Sequence, residues 1–235
     1  MINVVMLVKD RPRLTAQALR SLALNTVGDW NLTIVDDQGL YETLCVLNLF
    51  FRSRPKQVAI LRNHTSKGIT GQVRNLGVYW AERYWGRGDW LYLSDNDVFF
   101  TPDWDMRLID ARLNFGREFP LIGGQNHPYH QPVTERISDS SPHYGKLILR
   151  EYLALAGTSW LMRWDTWGLY GPLDAHAPGL CQSEDHAFCQ KIREAGGKVG
   201  ALDPPVVIDC SLTNTFGKPA IGAELKKRVE GVLYE

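Results

Sequence analysis

The chain has 235 residues, with 26 Lys+Arg against 26 Asp+Glu and therefore no net formal charge. At about 100–200 residues per domain this is one large domain or two small ones, long enough to bury a core without disulfide or metal staples. Balanced charge argues against a dominant phosphate-backbone binder, and 44% hydrophobic with 22% charged residues excludes the disordered and fibrous classes.

Cys45, Cys181, Cys189 and Cys210 lie far apart with no C-x-x-C pair. That spacing suits neither a zinc cage nor a secreted disulfide framework, and the expectation is a reduced, cytoplasmic chain. The apolar opening Met1–Val8 runs directly into Lys9, Asp10 and Arg11. It is too short to span a membrane and has no cleavage site, so it reads as a buried first strand.

The first half then alternates. Leu14–Leu24 has helical spacing, Leu32–Val35 reads as a second strand, and Thr43–Phe51 as a helix. Val58–Leu61 is a third strand, Gln72–Tyr84 a helix and Trp90–Leu93 a fourth strand. Continuous apolar strands alternating with helices predict an α/β fold with a central, mostly parallel sheet flanked by helices. Ligands of such sheets bind beyond the carboxyl ends of the strands, which puts Lys9-Asp10, Asp36-Asp37 and Asp95-Asn96-Asp97 on one rim.

The second half is less regular. Leu121–Gly124 reads as a strand, Asn126–Tyr144 as a long irregular loop, Tyr152–Met162 as strand-like and Ser183–Ala195 as a helix. Lys198–Leu202 and Val206–Asp209 read as strands, Ser211–Pro219 as a second irregular loop and Ala220–Leu233 as a last helix. No repeat or linker interrupts the chain, so a single domain over 1–235 is expected.

Asp95 and Asp97 follow an apolar strand, and residues i and i+2 of an extended segment share a face. Two carboxylates about 5 Å apart repel by about 3 kcal/mol at an effective dielectric near 20. A hard divalent cation, Mg²⁺ or Mn²⁺, would offset that cost; a solvated turn explains the same residues without one. Asp36-Asp37-Gln38-Gly39 is equally a turn or a pair of acceptors for a nucleoside. Ser183 is a good N-cap, and Glu184 and Asp185 suit the first turn of a helix. Asp185, however, shares its stripe with Phe188, Cys189 and Ile192, the apolar face. An acid at the lip of a buried face is placed to enter a cleft as a general base.

Taken in order, these landmarks resemble the GT-A-fold glycosyltransferases, especially the family-2-like group, over most of the chain. They are Lys9-Asp10-Arg11-Pro12 after the first strand, Ile34-Val35-Asp36-Asp37, and Gly68–Gly77 with Arg74-Asn75. Leu93-Ser94-Asp95-Asn96-Asp97, Gly157–Leu161, and Ser183–Phe188 with Gly196-Gly197 behind complete the series. The resemblance implies a nucleotide-binding half over 1–100 and an acceptor-binding half over 101–235. Asp36, Asp37, Arg74 and Asp95, with the backbone near Val8 and Lys9, match nucleotide contacts. Asp95 and Asp97 match the D-x-D motif that holds a divalent ion, Mn²⁺ or Mg²⁺, on the donor diphosphate. Asp185 matches the acid–base position of inverting members, with Glu184 beside it, and Trp160 lies where relatives line the donor-sugar and acceptor pocket. Many relatives place a His ligand after the last core strand; here Ile208-Asp209-Cys210 offers Asp209.

The implied activity is metal-dependent transfer of a sugar from a nucleotide sugar, UDP-linked in preference to GDP-linked, to an acceptor hydroxyl with inversion. The loops Asn126–Tyr144 and Ser211–Pro219 are candidate lids. A glycan, a lipid-linked glycan, a protein or a modified nucleic-acid base all remain open as acceptor. The alternatives are a non-catalytic glycan-binding protein on the same fold, or a sugar-phosphate nucleotidyltransferase, whose Gly-rich first loop is missing from Leu7–Arg13. A dinucleotide-dependent dehydrogenase would need G-x-G-x-x-G after the first strand, which is likewise missing. Arg11, Arg13 and Arg20 read as a solvated helix face that an anionic acceptor could also meet.

Overall fold

A computed structural model describes residues 1–65, 70–125, 131–141, 144–174 and 183–210. In the first half every expected element is present: β1 (Ile2–Val8), α1 (Pro12–Asn25), β2 (Trp30–Asp36), α2 (Tyr41–Ser53), β3 (Val58–Arg62), α3 (Thr70–Trp85) and β4 (Trp90–Asp95). The helices extend past the periodic apolar residues because their polar ends carry no pattern. The second half contributes β5 (Val98–Phe100), α4 (Trp104–Asn114), β6 (Leu121–Gly123), β7 (Thr134–Ser141) and β8 (Gly145–Tyr152). It continues with β9 (Ser159–Arg163), α5 (Trp164–Tyr170), α6 (Ser183–Glu194), β10 (Val199–Asp203) and β11 (Val207–Asp209).

Nine strands form one sheet in the order β3-β2-β1-β4-β9-β6-β10-β8-β7, and β11 pairs with β5 beside it. Only β9 and β8 run against the common direction. Alternate residues of β1 feed two cores: Val4, Met6 and Val8 face α1, α2 and α4, while Val5 faces α3, α5 and α6. The sheet is thus mostly parallel, with helices on both faces, as the apolar strands predict.

Three expectations are corrected. Tyr152–Met162 is not one strand: β8 ends at Tyr152 and β9 begins at Ser159. Between them the backbone donors are taken by α6, with Leu155 N–H directed to Cys189 Sγ (3.4 Å) and Gly157 N–H to Asp185 Oδ2 (2.8 Å). Part of the supposed irregular loop, Thr134–Ser141, is an edge strand paired to β8. Most of its side chains are exposed, so no in-out alternation marks it in the sequence. Helices α4 and α5 went unanticipated, although Trp104, Leu108 and Ala111 of α4 are buried at helical spacing. The Ser211–Pro219 loop and the Ala220–Leu233 helix lie outside the described residues, as does the side chain of Ser183.

Helix α3 lies close on the sheet at Gly77, where a Cβ would meet Val5 Cγ1 at 2.4 Å and Val35 Cγ2 at 2.9 Å. Gly77→Ala would gain roughly 0.5–1 kcal/mol of helix propensity. Overpacking costs about 1–3 kcal/mol, and the β-branched neighbours have no free rotamer to turn into. A net loss of about 1–2 kcal/mol is expected, read as a lower urea midpoint at unchanged slope. An unchanged midpoint would show that α3 sits looser on the sheet than this.

Candidate functional site

The strand order reverses at β1: β2 and β3 lie on one side of it and β4 on the other. A sheet opens a crevice beyond the carboxyl ends of its strands at such a switch. The pairings Leu7↔Asp95 and Val8↔Asp36 place the ends of β4, β1 and β2 level with one another. Lys9, Asp10, Asp36, Asp37, Asp95 and Asp97 therefore share one rim, as expected.

At the β2 end, Asp36 is buried and accepts the Gly39 N–H at Oδ1 (2.8 Å), with Arg62 Nε 3.6 Å from Oδ2. Burial holds its carboxyl above the usual range, against the pull of Gly39 and Arg62. The Asp37 N–H donates to Val8 O (2.8 Å), its carboxylate accepts Asn63 Nδ2 (2.8 Å), and Lys9 Nζ stands 3.7 Å away. Val8 is buried and Lys9 exposed, so at this edge the strand end offers backbone and an exposed cation. Arg62 and Asn63 were missed in the sequence, yet Arg62 ends β3 and Asn63 follows it onto the same rim, where the strand-end rule reaches them.

At the β4 end, Asp95 closes the strand and the chain bends at Asn96 and Asp97 instead of running extended. The i, i+2 argument for a shared face therefore does not describe the geometry. Asn96 turns back, donating from Nδ2 to Thr15 Oγ1 (2.7 Å) and Asp10 O (3.0 Å), which staples the β1–α1 loop to the bend. Asp10 and Arg11 are both left-handed there (φ 54° and 57°). That conformation is unfavourable for non-glycine residues, and it swings Arg11 onto Asp97, where the two form an ion pair. Arg11 is thus part of the rim, not of the solvated face shared with Arg13 and Arg20.

Burial first, then Asp95 and Asp209, push the Asp97 carboxyl up to about 7, with Arg11 opposing. Asp209 reaches this neighbourhood because β11 pairs with β5, Asp209 opposite Val98. Its N–H donates to Gln125 Oε1 (2.6 Å), and the Cys210 N–H donates to Asp97 O (2.7 Å). Among the described residues, no three His, Cys, Asp or Glu side chains converge on a point that would hold a metal ion. The expected ligand set of Asp95, Asp97 and Asp209 is therefore assembled as neighbours, not as a formed cage. The donor chemistry still suits a hard cation: a half-buried all-oxygen cluster that already draws in the Arg11 guanidinium.

Behind the rim, α6 carries Asp185 and Glu184 on its buried side, next to Phe188, Cys189 and Ile192. Asp185 Oδ1 accepts Arg74 Nη1 (2.9 Å) and Oδ2 accepts the Gly157 N–H (2.8 Å). Burial pushes its carboxyl up to about 6; Arg74 opposes, and Glu184 and Asp95 add to the rise. Arg74 also donates from Nη2 to Asp95 Oδ1 (3.0 Å). Trp160 is wholly buried, stacked on Phe188 (5.3 Å between centroids) with the Arg74 guanidinium 5.9 Å over its ring. It supports the site from beneath Arg74 and shows no face to a ligand, which corrects its expected place in the pocket lining.

The family model described as Glycosyl transferase family 2 matches residues 3–152. The chain belongs to glycosyl transferase family 2. Among curated proteins none matches it by sequence. Among solved structures, GalNAc-T7 with UDP, GalNAc and Mn²⁺ is similar at TM-score 0.67 and 16% identity, over 88% of this chain and 43% of that one. TarS 1-349 of S. aureus is similar at TM-score 0.60 and 14% identity, over 86% of this chain and 57% of that one. The mannosyltransferase PcManGT of Pyrobaculum calidifontis, with GDP-Man and Mn²⁺, is similar at TM-score 0.58 and 11% identity, over 85% and 56%. The chain thus spans about half the length of these neighbours, and the fold it shares with them is GT-A. Among the described residues of this family-2 chain, no helix is long and apolar enough to cross a membrane.

Proposed function

We propose that this family-2 domain transfers a sugar from a nucleotide sugar to an acceptor hydroxyl with inversion, and that Asp185 is the base. The observation that carries this reading is the pair of acidic centres at one crevice: Asp95 and Asp97 at the switch-point rim, and Asp185 behind them, joined through Arg74. A UDP-sugar is the favoured donor and a GDP-sugar the alternative, after the UDP, UDP-GlcNAc and GDP-Man held by the structural neighbours.

The 1–100 half cradles the nucleoside between Val8-Lys9 and Asp36-Asp37, and the 101–235 half receives the acceptor. Asp95 and Asp97, with Asp209 beside them, would hold Mn²⁺ or Mg²⁺. A cation there supplies Lewis-acid neutralisation of the departing diphosphate. Asp185 takes the acceptor's proton, and its carboxyl, up to about 6, is ionised at neutral pH yet basic enough to accept it. Glu184, buried beside it, keeps the local potential negative and orients the acceptor. With Asp185 acting as base on the acceptor and not as nucleophile on the sugar, a single in-line displacement would invert the anomeric carbon.

A thermal-shift panel of UDP, UDP-GlcNAc and GDP-Man with and without Mn²⁺ tests the reading. At 100 times Kd, binding adds about 2.7 kcal/mol, and a UDP ligand should raise Tm only when Mn²⁺ is present. Stabilisation by free glycans with no response to any nucleotide would favour the non-catalytic glycan binder and sink the transferase. The anomer of the product, read by NMR, checks inversion.

A further inference from the structure

Arg74 leaves α3 and ends wholly enclosed, 2% exposed, with its two terminal nitrogens on two different carboxylates. Burial alone would pull its pKa down, but Asp95 and Asp185 outweigh that and hold it protonated. A guanidinium forks in a fixed plane, so two carboxylates bonded to its two Nη atoms are fixed relative to each other. Trp160 closes the plane from below. On the remaining side is Gly157, where a Cβ would lie 1.9 Å from Arg74 Nη1 and 2.4 Å from Asp185 Oδ1. No other amino acid at 157 leaves that space, and the Gly157 N–H donates to the second oxygen of Asp185.

We infer that Arg74 is a positioning residue that acts on the reaction through Asp185, holding the base at a fixed distance from the donor-side Asp95, and that Gly157 is the residue whose missing side chain permits the strut. This rests on the proposed transferase reading and gives Arg74 a role other than direct contact with the nucleotide. The charged groups around Asp185 are Arg74 from α3, Asp95 from β4 and Glu184 from its own helix, with the Cys189 thiol one turn on. Among the described residues, Arg74 is the cation that acts on Asp185. It offsets the acids, so its loss makes Asp185 harder to ionise.

The test compares Arg74→Lys and Gly157→Ala with the wild-type chain. Lysine keeps the charge but is a single point that does not span two carboxylates; alanine attacks the same pair from the opposite side. UDP affinity in Mn²⁺ is measured by calorimetry and also certifies the fold. The kcat is measured against pH as UDP-GlcNAc turnover. Both variants should keep UDP affinity within about threefold and lose about 10²-fold in kcat, the scale of a 1 Å misplacement. The acid limb of kcat should move to higher pH, because a cation shifted away from Asp185 Oδ1 stabilises its ionised form less.

A tenfold loss of UDP affinity with kcat retained at saturation would make Arg74 a nucleotide ligand and overturn the strut, as would an unchanged kcat and pH limb. Wild-type protein that turned over no nucleotide sugar would instead overturn the transferase reading. The strut is then decided by ¹³C NMR titration of the Asp185 carboxyl, which must move upward in Arg74→Lys; an unmoved titration overturns it.

Discussion

Asp185→Asn is expected to leave nucleotide affinity within about threefold and to lower turnover by about 10²–10⁴, the usual contribution of a general base. Asparagine matches the shape of the carboxylate, so the helix position and the Gly157 contact survive, while the group no longer accepts a proton. The pH dependence follows from the same residue. Burial raises its carboxyl to about 6, and only the ionised form is a base. Turnover should therefore rise with pH through about 6 and level off above it, with about a tenth of the plateau left one pH unit below the midpoint. In Asp185→Asn the residual rate should be flat across that range. A variant that turned over at the wild-type rate, or kept the acid limb, would remove Asp185 from the chemistry and leave Glu184 as the acid to test next.

The fold was legible where the sequence has to solve a two-sided burial problem. Strands such as Val4–Val8 and, Thr33 apart, Leu32–Val35 are apolar because helices cover both faces, and the helices between them carry one apolar stripe each. The polar edge strand Thr134–Ser141 solves no such problem and left no pattern. The candidate site divides in the same way. Asp95, Asp97 and Asp185 stand at places that chain order predicts, namely strand ends and the first turn of a helix on its buried side. What the sequence could not supply is direction. Arg74 on α3 reads as a nucleotide contact until Asp95 and Asp185 are seen closing on it from two other elements. Arg11 reads as the start of a solvated face until two consecutive left-handed residues turn it onto Asp97. The resemblance alone puts Trp160 in the pocket lining, yet its ring stacks on Phe188 in the core. Each miss concerns a long side chain whose direction is set by contacts with other elements of the fold.

Asp97→Asn is expected to act with opposite signs on stability and on metal response. Burial, then Asp95 and Asp209, lift the Asp97 carboxyl to about 7 in the fold, well above an unfolded value near 3.8. A carboxyl raised on folding favours the folded state below its unfolded pKa, and that contribution is lost as pH rises through the folded value. Above about pH 7, metal-free wild type therefore holds an ionised, partly uncompensated acid, at a cost of up to about 4 kcal/mol. Asparagine carries no such charge, so the metal-free variant should melt higher than wild type at about pH 8, by about 2–4 °C for each kcal/mol. The difference should shrink toward zero near pH 4, where both side chains are neutral. The same substitution removes a hard oxygen ligand, so the further rise that Mn²⁺ with UDP gives the wild-type chain should vanish. An unfolding artefact would lower both quantities together, which makes the opposed signs diagnostic. A variant that kept the Mn²⁺ response would take Asp97 out of the metal site. One that melted lower without metal would show that Arg11 already compensates the Asp97 charge in full.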